Sequence, residues 1–192
     1  MRYARKLFLP GCNFGRSGPD LGFLRLPPEN VGYLGATSSF YNLSRRRDDV
    51  FTGQTPSKMY FDVVAGAIDE HTKVVPGPFP VSVSFQATVF TGEICSRTYI
   101  NGYDLYDFKI GANPNYEIPS SFEGASGGGA WRIYCEIKEG EPAVVQKRLL
   151  GVLFYQSLTS GGERLITLHG PKSVYQLLLE NIIEKFPDEA LS

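Results

Sequence analysis

The chain has 192 residues, of which 42% are hydrophobic and 13% aromatic, enough for one large or two small domains with packed cores. Its formal net charge is −1, and the only basic run, Arg45-Arg46-Arg47, precedes Asp48-Asp49 in what we interpret as a solvated turn, so we expect no nucleic-acid partner. No stretch of about 18 apolar residues occurs, so we expect no membrane partner.

The cysteines and histidines indicate neither a disulfide framework nor a metal site. The three cysteines, Cys12, Cys95 and Cys135, are widely spaced, and the two histidines, His71 and His169, are isolated. A zinc site would need closely spaced pairs of such residues. The apolar segment near the N-terminus is too short for a signal peptide. We therefore expect a cytoplasmic protein with reduced thiols, no metal and no cofactor.

Residues 1–57 predict little regular structure. Two strands are expected, Tyr3 to Leu9 and Leu21 to Leu26, followed by Pro27-Pro28 and a mixed segment to Phe51. Two strands cannot close a barrel, and an isolated pair is marginally stable in water. We therefore expect these residues to be an incomplete N-terminal unit.

Residues 58–171 predict a six-stranded barrel. Apolar and polar residues alternate from Val81 to Val89, and this period of two indicates a half-buried strand. Clusters of glycine and proline separate it from five further apolar segments, as is typical of a small antiparallel barrel. The predicted strands are Met59 to Ala65, Val81 to Val89, Arg97 to Ile110, Ala130 to Ile137, Arg148 to Tyr155 and Arg164 to His169.

Residues 172–187 predict a helix that packs on this barrel. Ser173, with a glutamine three residues later, has the spacing of a capping box. Val174, Leu178 and Ile182 recur every four residues and form an apolar stripe along one side of the helix.

The segment Glu123-Gly124-Ala125-Ser126-Gly127-Gly128-Gly129 places one serine among four glycines. Serine is a poor nucleophile unless its surroundings activate it. Glycines allow the backbone to turn sharply and to direct N–H groups at a substrate carbonyl. The pattern therefore indicates acyl transfer with Ser126 as the nucleophile.

Three other glycine-rich sites fit this segment poorly. Residues 124–128 satisfy the Gly-x-Ser-x-Gly pattern of α/β-hydrolases, but a predicted strand, Trp131 to Tyr134, follows where that architecture requires a helix. A phosphate-binding loop needs Lys-Ser or Lys-Thr after its last glycine, where this chain has Ala130-Trp131. A dinucleotide-binding fingerprint would also have to begin a helix.

The same segment resembles the Gly-Asp-Ser-Gly-Gly box of the trypsin-like serine peptidases. Leu150 to Phe154 is similar to the strand that follows this box, and Pro19 to Pro27 is similar to the family's segment with the triad aspartate, here Asp20. The resemblance covers roughly residues 18–186. It implies an all-β, trypsin-like double β-barrel with an incomplete first barrel, a complete second barrel and a C-terminal helix. The implied activity is hydrolysis of a polypeptide substrate through a serine acyl-enzyme.

The resemblance also implies roles for individual residues. Ser126 would be the nucleophile, Asp20 would orient the base, and the N–H groups of Gly124 and Ser126 would form the oxyanion hole. Ser120 would form the floor of the substrate pocket, and because it is neutral it would not select Lys or Arg side chains. The implied pocket residues are Ser120, Tyr155, Gln156 and Ser157.

The catalytic histidine is missing from the expected position. The family's triad runs His, Asp, Ser along the chain, and residues 1–19 contain no histidine. We expect His71 in an exposed turn and His169 in a capping or packing role. Without a base, the oxyanion hole and substrate binding would leave only roughly 10³–10⁴-fold acceleration over water.

Two hypotheses follow from the sequence. In the first, the chain is a peptidase domain that lacks the histidine-bearing N-terminal segment or partner chain, and it is inactive or very feeble as it stands. In the second, it is a non-catalytic trypsin-like fold for binding or regulation. The first predicts an open cleft and exposed apolar faces on residues 1–57, and the second predicts that those faces are covered.

Overall fold

The computed structural model describes most of the chain. It covers residues 5–8, 18–75, 82–84, 86–111, 118–159 and 163–187. Cys12 and the first residues of the predicted strand Tyr3 to Leu9 lie outside these ranges. No helix within them is both long and apolar enough to cross a membrane.

The described residues are mostly β, with ten strands. In chain order these strands are β1 (Arg5–Phe8), β2 (Gly22–Arg25), β3 (Met59–Ala67), β4 (Lys73–Val75), β5 (Ser82–Ser84), β6 (Ala87–Ile100), β7 (Tyr103–Ile110), β8 (Gly129–Lys138), β9 (Glu141–Leu158) and β10 (Arg164–His169). Six of them form one antiparallel sheet whose pairings close in a ring, in the order β10-β7-β6-β3-β8-β9. The pairs β1-β2 and β4-β5 are separate two-stranded sheets.

The ring contains the predicted strands with two corrections. The prediction of one strand from Arg97 to Ile110 is wrong, because Asn101 (φ 52°) and Gly102 (φ 90°) make a tight turn that pairs β6 with β7. Two central residues with positive φ match the twist of a two-residue hairpin, and Asn-Gly favours them. The predicted strand Val81 to Val89 is divided between β5, outside the ring, and the start of β6.

Two helices occupy the segment that the sequence left as mixed. They are α1 (Pro28–Thr37) and α2 (Leu43–Phe51), so the described chain is mostly β rather than all-β. Pro28 occupies the first helical position of α1, where its missing N–H costs nothing. Asn42 caps α2, because its side chain accepts a hydrogen bond from Arg45 N at 3.0 Å. The basic run predicted as a turn is therefore part of a helix.

The C-terminal helix packs its apolar stripe against the closed sheet. It contains a π-helical turn, Ser173–Leu178, that continues into α3 (Leu179–Lys185). Val174 and Tyr175 are buried, and the Tyr175 hydroxyl donates to the Leu149 carbonyl at 2.9 Å. The predicted capping box is wrong, because Ser173 Oγ donates instead to Asp104 Oδ1 on β7 at 2.5 Å. Ser173 therefore attaches the helix to the sheet.

The main hydrophobic core fills the closed sheet. It also contains two residues of the segment before β8, so this loop is packed against the strands. The buried members are Val64, Ile68, Phe108, Ile110, Phe122, Ala125, Ala130, Leu150, Leu153, Ile166 and Leu168.

Candidate active site

Ser126 lies in a tight turn that is attached to β9 by main-chain hydrogen bonds. Gly127 N donates to Leu153 O at 2.8 Å, and Leu153 N donates to Gly128 O at 2.9 Å. Gly124 and Gly127 have φ values of 85° and 84°, in the left-handed region that glycine adopts without steric cost. The glycines around the serine therefore serve a backbone geometry, and β9 fixes its position.

The Ser126 side chain is exposed and has no base. Its hydroxyl donates to the Phe154 carbonyl on β9 over 3.4 Å, a long and weak hydrogen bond. Among the described residues, no side chain that could accept the proton as a base is hydrogen-bonded to this hydroxyl. The predicted nucleophile is accessible, and none of the described side chains activates it.

Two N–H groups beside Ser126 are free to receive a negative oxygen. Within the described parts of the chain, the N–H groups of Gly124 and Ser126 have no acceptor, whereas those of Ala125, Gly127 and Gly128 donate to carbonyls. Unpaired donors on the residue of the nucleophile and two positions before it are the groups that the predicted oxyanion hole would use.

Asp69 contacts the segment that carries this pair of N–H groups. Its own N–H donates to the Glu123 carbonyl at 2.9 Å, immediately before Gly124. A side chain at position 124 would collide with the Asp69 carboxylate, so only glycine fits there. No motif in the sequence indicates Asp69, which lies more than fifty positions before Gly124 in the chain.

Asp20 is connected to Ser126 through His169 and Phe154. The Asp20 N–H donates to His169 Nε2 at 3.1 Å, and the His169 ring stacks on Phe154 with 4.4 Å between the ring centroids. The Phe154 carbonyl in turn accepts from Ser126. Burial raises the pKa of the half-buried Asp20 carboxyl. Asp20 is therefore bonded to β10 and Ser126 to the neighbouring β9, and no hydrogen bond joins the two predicted catalytic residues.

Neither histidine supplies a base to Ser126. His169 is 0% exposed, and its burial lowers its pKa to about 4. Its Nε2 accepts a hydrogen bond, which places the proton of the neutral ring on Nδ1. His71 lies in a 3₁₀ turn, Asp69–His71, where Nδ1 is 3.0 Å from Thr88 Oγ1. His169 therefore has the packing role expected of it, whereas His71 is half-buried rather than exposed.

A cavity of about 160 Å³ opens beside Ser126. It lies between β9 and the segment before the serine turn, so a group bound there would be adjacent to the hydroxyl. Its lining residues are Phe122, Glu123, Ala125, Ser126, Leu153, Phe154, Tyr155, Gln156 and Ile166. The predicted pocket residues Tyr155 and Gln156 are among them.

The other two predicted pocket residues do not line this cavity. Ser120 N and Oγ both donate to Glu70 Oε2, at 3.0 and 2.9 Å, and these bonds hold Ser120 against the 3₁₀ turn. The Ser120 hydroxyl in turn holds the pKa of Glu70 below its ordinary value. Ser157 pairs with Leu165 of β10 and is not among the residues that line the cavity.

Sequence reasoning missed the apolar walls of the cavity. Phe122 lies just before the glycine segment, and Ile166 lies on β10, where it is paired with Gln156 of β9. Neither residue belongs to a motif that indicates a pocket.

Neither a metal cluster nor a relative defines this site. The described residues contain no group of His, Cys, Asp and Glu side chains that could hold a metal ion. Comparison of the chain with protein-family models, curated proteins and solved structures found no match. The geometry around Ser126 is therefore the structural basis for a proposed function.

Proposed function

We propose that this chain carries the acyl-transfer part of a trypsin-like serine peptidase site. Ser126 is the nucleophile, the N–H groups of Gly124 and Ser126 are the oxyanion hole, and Asp20 is the acid that orients a histidine. The observation that supports this most strongly is an exposed serine beside a cavity, in a turn where two N–H groups have no acceptor among the described residues.

The chemistry assigned to this arrangement is peptide-bond hydrolysis in two steps. Ser126 Oγ forms a bond to the substrate carbonyl carbon, its proton passes to the base, and the carbonyl oxygen takes the negative charge between the two N–H groups. The amine leaves with the proton from the base. Water then attacks the acyl-enzyme, releases the acid and restores the Ser126 hydroxyl.

The proposal requires a histidine from another polypeptide segment, because both histidines of this chain are committed elsewhere. The half-buried Asp20 carboxyl is the group that would receive its imidazole. Large side chains are uncovered on α1 and on its connection to α2, where Tyr33 is 75% and Phe40 60% exposed, as the first sequence hypothesis expects. In this proposal the closed sheet is the second barrel, residues 1–57 are a remnant of the first, and the chain alone is very feeble.

Chemical rescue tests the proposal without the missing partner. A fluorophosphonate probe forms an Oγ–P bond and loses fluoride, and added imidazole accepts the hydroxyl proton. We expect Ser126 to be labelled at least about tenfold faster than an exposed serine outside the site, at a rate that rises with imidazole concentration, because free N–H donors stabilise the developing charge.

Peptide mass mapping measures the labelling. Ser44, exposed on α2, is the internal reference, and Ser126→Ala should leave only background labelling. Equal rates at Ser126 and Ser44 with saturating imidazole would overturn the catalytic proposal.

That outcome would support the second candidate, a non-catalytic trypsin-like fold for binding or regulation. The hydrogen bond from Ser126 Oγ to the Phe154 carbonyl favours this candidate, because the hydroxyl proton is directed at a main-chain acceptor and not at a base.

A further inference from the structure

The walls of the cavity beside Ser126 are apolar. Five of its lining residues belong to the hydrophobic interior and are each less than 10% exposed; they are Phe122, Ala125, Leu153, Phe154 and Ile166. The charged lining residue, Glu123, is exposed. A charged group placed against the five buried apolar residues would lose its hydration without gaining a partner there, whereas an apolar group would gain contacts.

Gln156 completes the cavity with a neutral amide that is fixed at both ends. Its Oε1 accepts from Phe122 N at 2.8 Å, and its Nε2 donates to Ser121 Oγ at 2.9 Å. These two bonds join β9 to the segment before the serine turn. The amide is therefore held in one orientation, and because it is uncharged it offers no ion pair to a charged substrate group.

The size of the cavity limits what enters it. Its volume of about 160 Å³ is close to that of an apolar protein cavity of about 150 Å³ that accepts benzene. One leucine-sized side chain fills such a space, and Ile166, buried at 2% exposure, is part of its wall.

We infer that this cavity selects substrates with an aliphatic side chain on the acyl residue and rejects charged ones, with Gln156 as the specificity-determining residue. The inference rests on the proposed function, because only a substrate acylated at Ser126 places that side chain here. Gln156 fixes the wall and keeps it uncharged. A carboxylate at position 156 would reverse the preference toward basic side chains.

The test measures binding in the Ser126→Ala background, where no acyl-enzyme forms. Blocked peptides Ac-Ala-Ala-X-NH₂, with X as Leu, Val, Arg or Glu, are titrated and followed by NMR at Ala125, Leu153 and Ile166. We expect the Leu peptide to bind at least about tenfold more tightly than the Arg peptide, in the range of discrimination that an apolar pocket gives.

The Gln156→Glu variant makes the test specific. A carboxylate of the same shape accepts hydrogen bonds from both Phe122 N–H and the Ser121 hydroxyl, so the wall is retained while a negative charge is added. We expect the Leu-to-Arg preference to fall by at least about tenfold, since the charge lies in an apolar wall. The control is Gln54→Glu, the same change at an exposed position outside the cavity, which should leave the preference unchanged.

The outcomes separate this inference from the proposed function. Equal binding of the Leu and Arg peptides, no binding of any peptide at millimolar concentration, or an unchanged ratio in Gln156→Glu would each overturn the inference. Fluorophosphonate labelling of Ser126 does not depend on these results. If the cavity binds the Leu peptide selectively but Ser126 is not labelled, the preference for aliphatic side chains is supported and only the acyl-transfer proposal is refuted.

Discussion

Two glycines beside Ser126 have nearly the same backbone conformation but different surroundings. Gly124 and Gly127 both have positive φ, yet a methyl group at Gly124 meets Asp69, while one at Gly127 meets nothing within 4 Å. Alanine substitutions at the two positions therefore separate the free-energy cost of a left-handed backbone from the cost of a steric collision. Gly124 is also one of the two residues whose N–H groups we propose for the oxyanion hole.

We therefore expect Gly124→Ala to lower the free energy of unfolding by about 1–3 kcal/mol more than Gly127→Ala, as overpacking typically does. The left-handed backbone itself should cost both variants about 1–2 kcal/mol. Urea denaturation measures these values. Imidazole-assisted labelling of Ser126 should be lost in Gly124→Ala and retained in Gly127→Ala. Equal stability and equal labelling in the two variants would contradict the assigned role of Gly124.

At the scale of single residues, the sequence identified positions better than it identified contacts. The glycine pattern predicted a tight turn at Ser126, and the structure has one there, because such a turn has a local residue signature. The partners of that turn, Asp69 and Gln156, come from distant segments and have no signature of their own. Ser120 was placed in the pocket by resemblance, but its hydrogen bonds to Glu70 keep it elsewhere.

At the scale of elements, Ser173 connects the C-terminal helix to β7. Ser173 is 0% exposed and donates through both N and Oγ to the Asp104 carboxylate, which also accepts from Lys172 N. The Asp104 N–H donates back to Ser173 Oγ at 3.1 Å. The helix is therefore fixed by a buried polar network as well as by its apolar stripe.

Replacing Ser173 by alanine leaves two buried groups of Asp104, the N–H and part of the carboxylate, without their partner. We expect a loss of about 1–3 kcal/mol in the free energy of unfolding, the usual cost of an unsatisfied buried polar group. Ser44→Ala, on the exposed surface of α2, should change it by less than about 0.5 kcal/mol. Urea denaturation compares them, and a Ser173→Ala variant as stable as Ser44→Ala would refute the anchoring role.

The elements that the sequence predicted well are those with a strong local period. β3, β8 and β10 are close to their predicted ranges because alternating or continuous apolar runs define them. The helices α1 and α2 were missed, since prolines, glycines and a run of charges obscure any apolar stripe. Asn42 was an available capping signal, and Asn101-Gly102 an available hairpin signal.

At the scale of the whole molecule, His169 connects the N-terminal segment to the closed sheet. Its ring stacks on Phe154, and its Nε2 holds the main chain at Asp20. Protonation of this ring would remove the acceptor at Nε2 and place a charge in the interior. The attachment of the N-terminal segment therefore depends on a neutral imidazole.

This dependence predicts acid sensitivity of the folded state. Burial lowers the pKa of His169 from its ordinary value of 6.5 to about 4, so between these values the unfolded chain binds a proton that the folded chain does not. The free energy of unfolding should fall as the pH decreases through this window, and it should be about 2 kcal/mol lower at pH 5 than at pH 7. Urea denaturation at several pH values measures it.

The pH experiment has an internal control in the second histidine. His71→Gln leaves His169 in place and should show the same loss between pH 7 and pH 5. A free energy of unfolding that stays constant across this range would mean that His169 is not held neutral by its burial.

The closed pairing of the sheet has a dynamic consequence. In the ring β10-β7-β6-β3-β8-β9 every strand has a neighbour on both sides, so its paired amides exchange with deuterated solvent only when the ring opens. Among the described residues, no third strand pairs with β1-β2 or with β4-β5, so each of these pairs can open by itself. The turn of Ser126 is bonded to β9, and Asp69 lies just before β4. The amides on the β9 side of the site should therefore exchange slowly, and those on the Asp69 side should exchange faster.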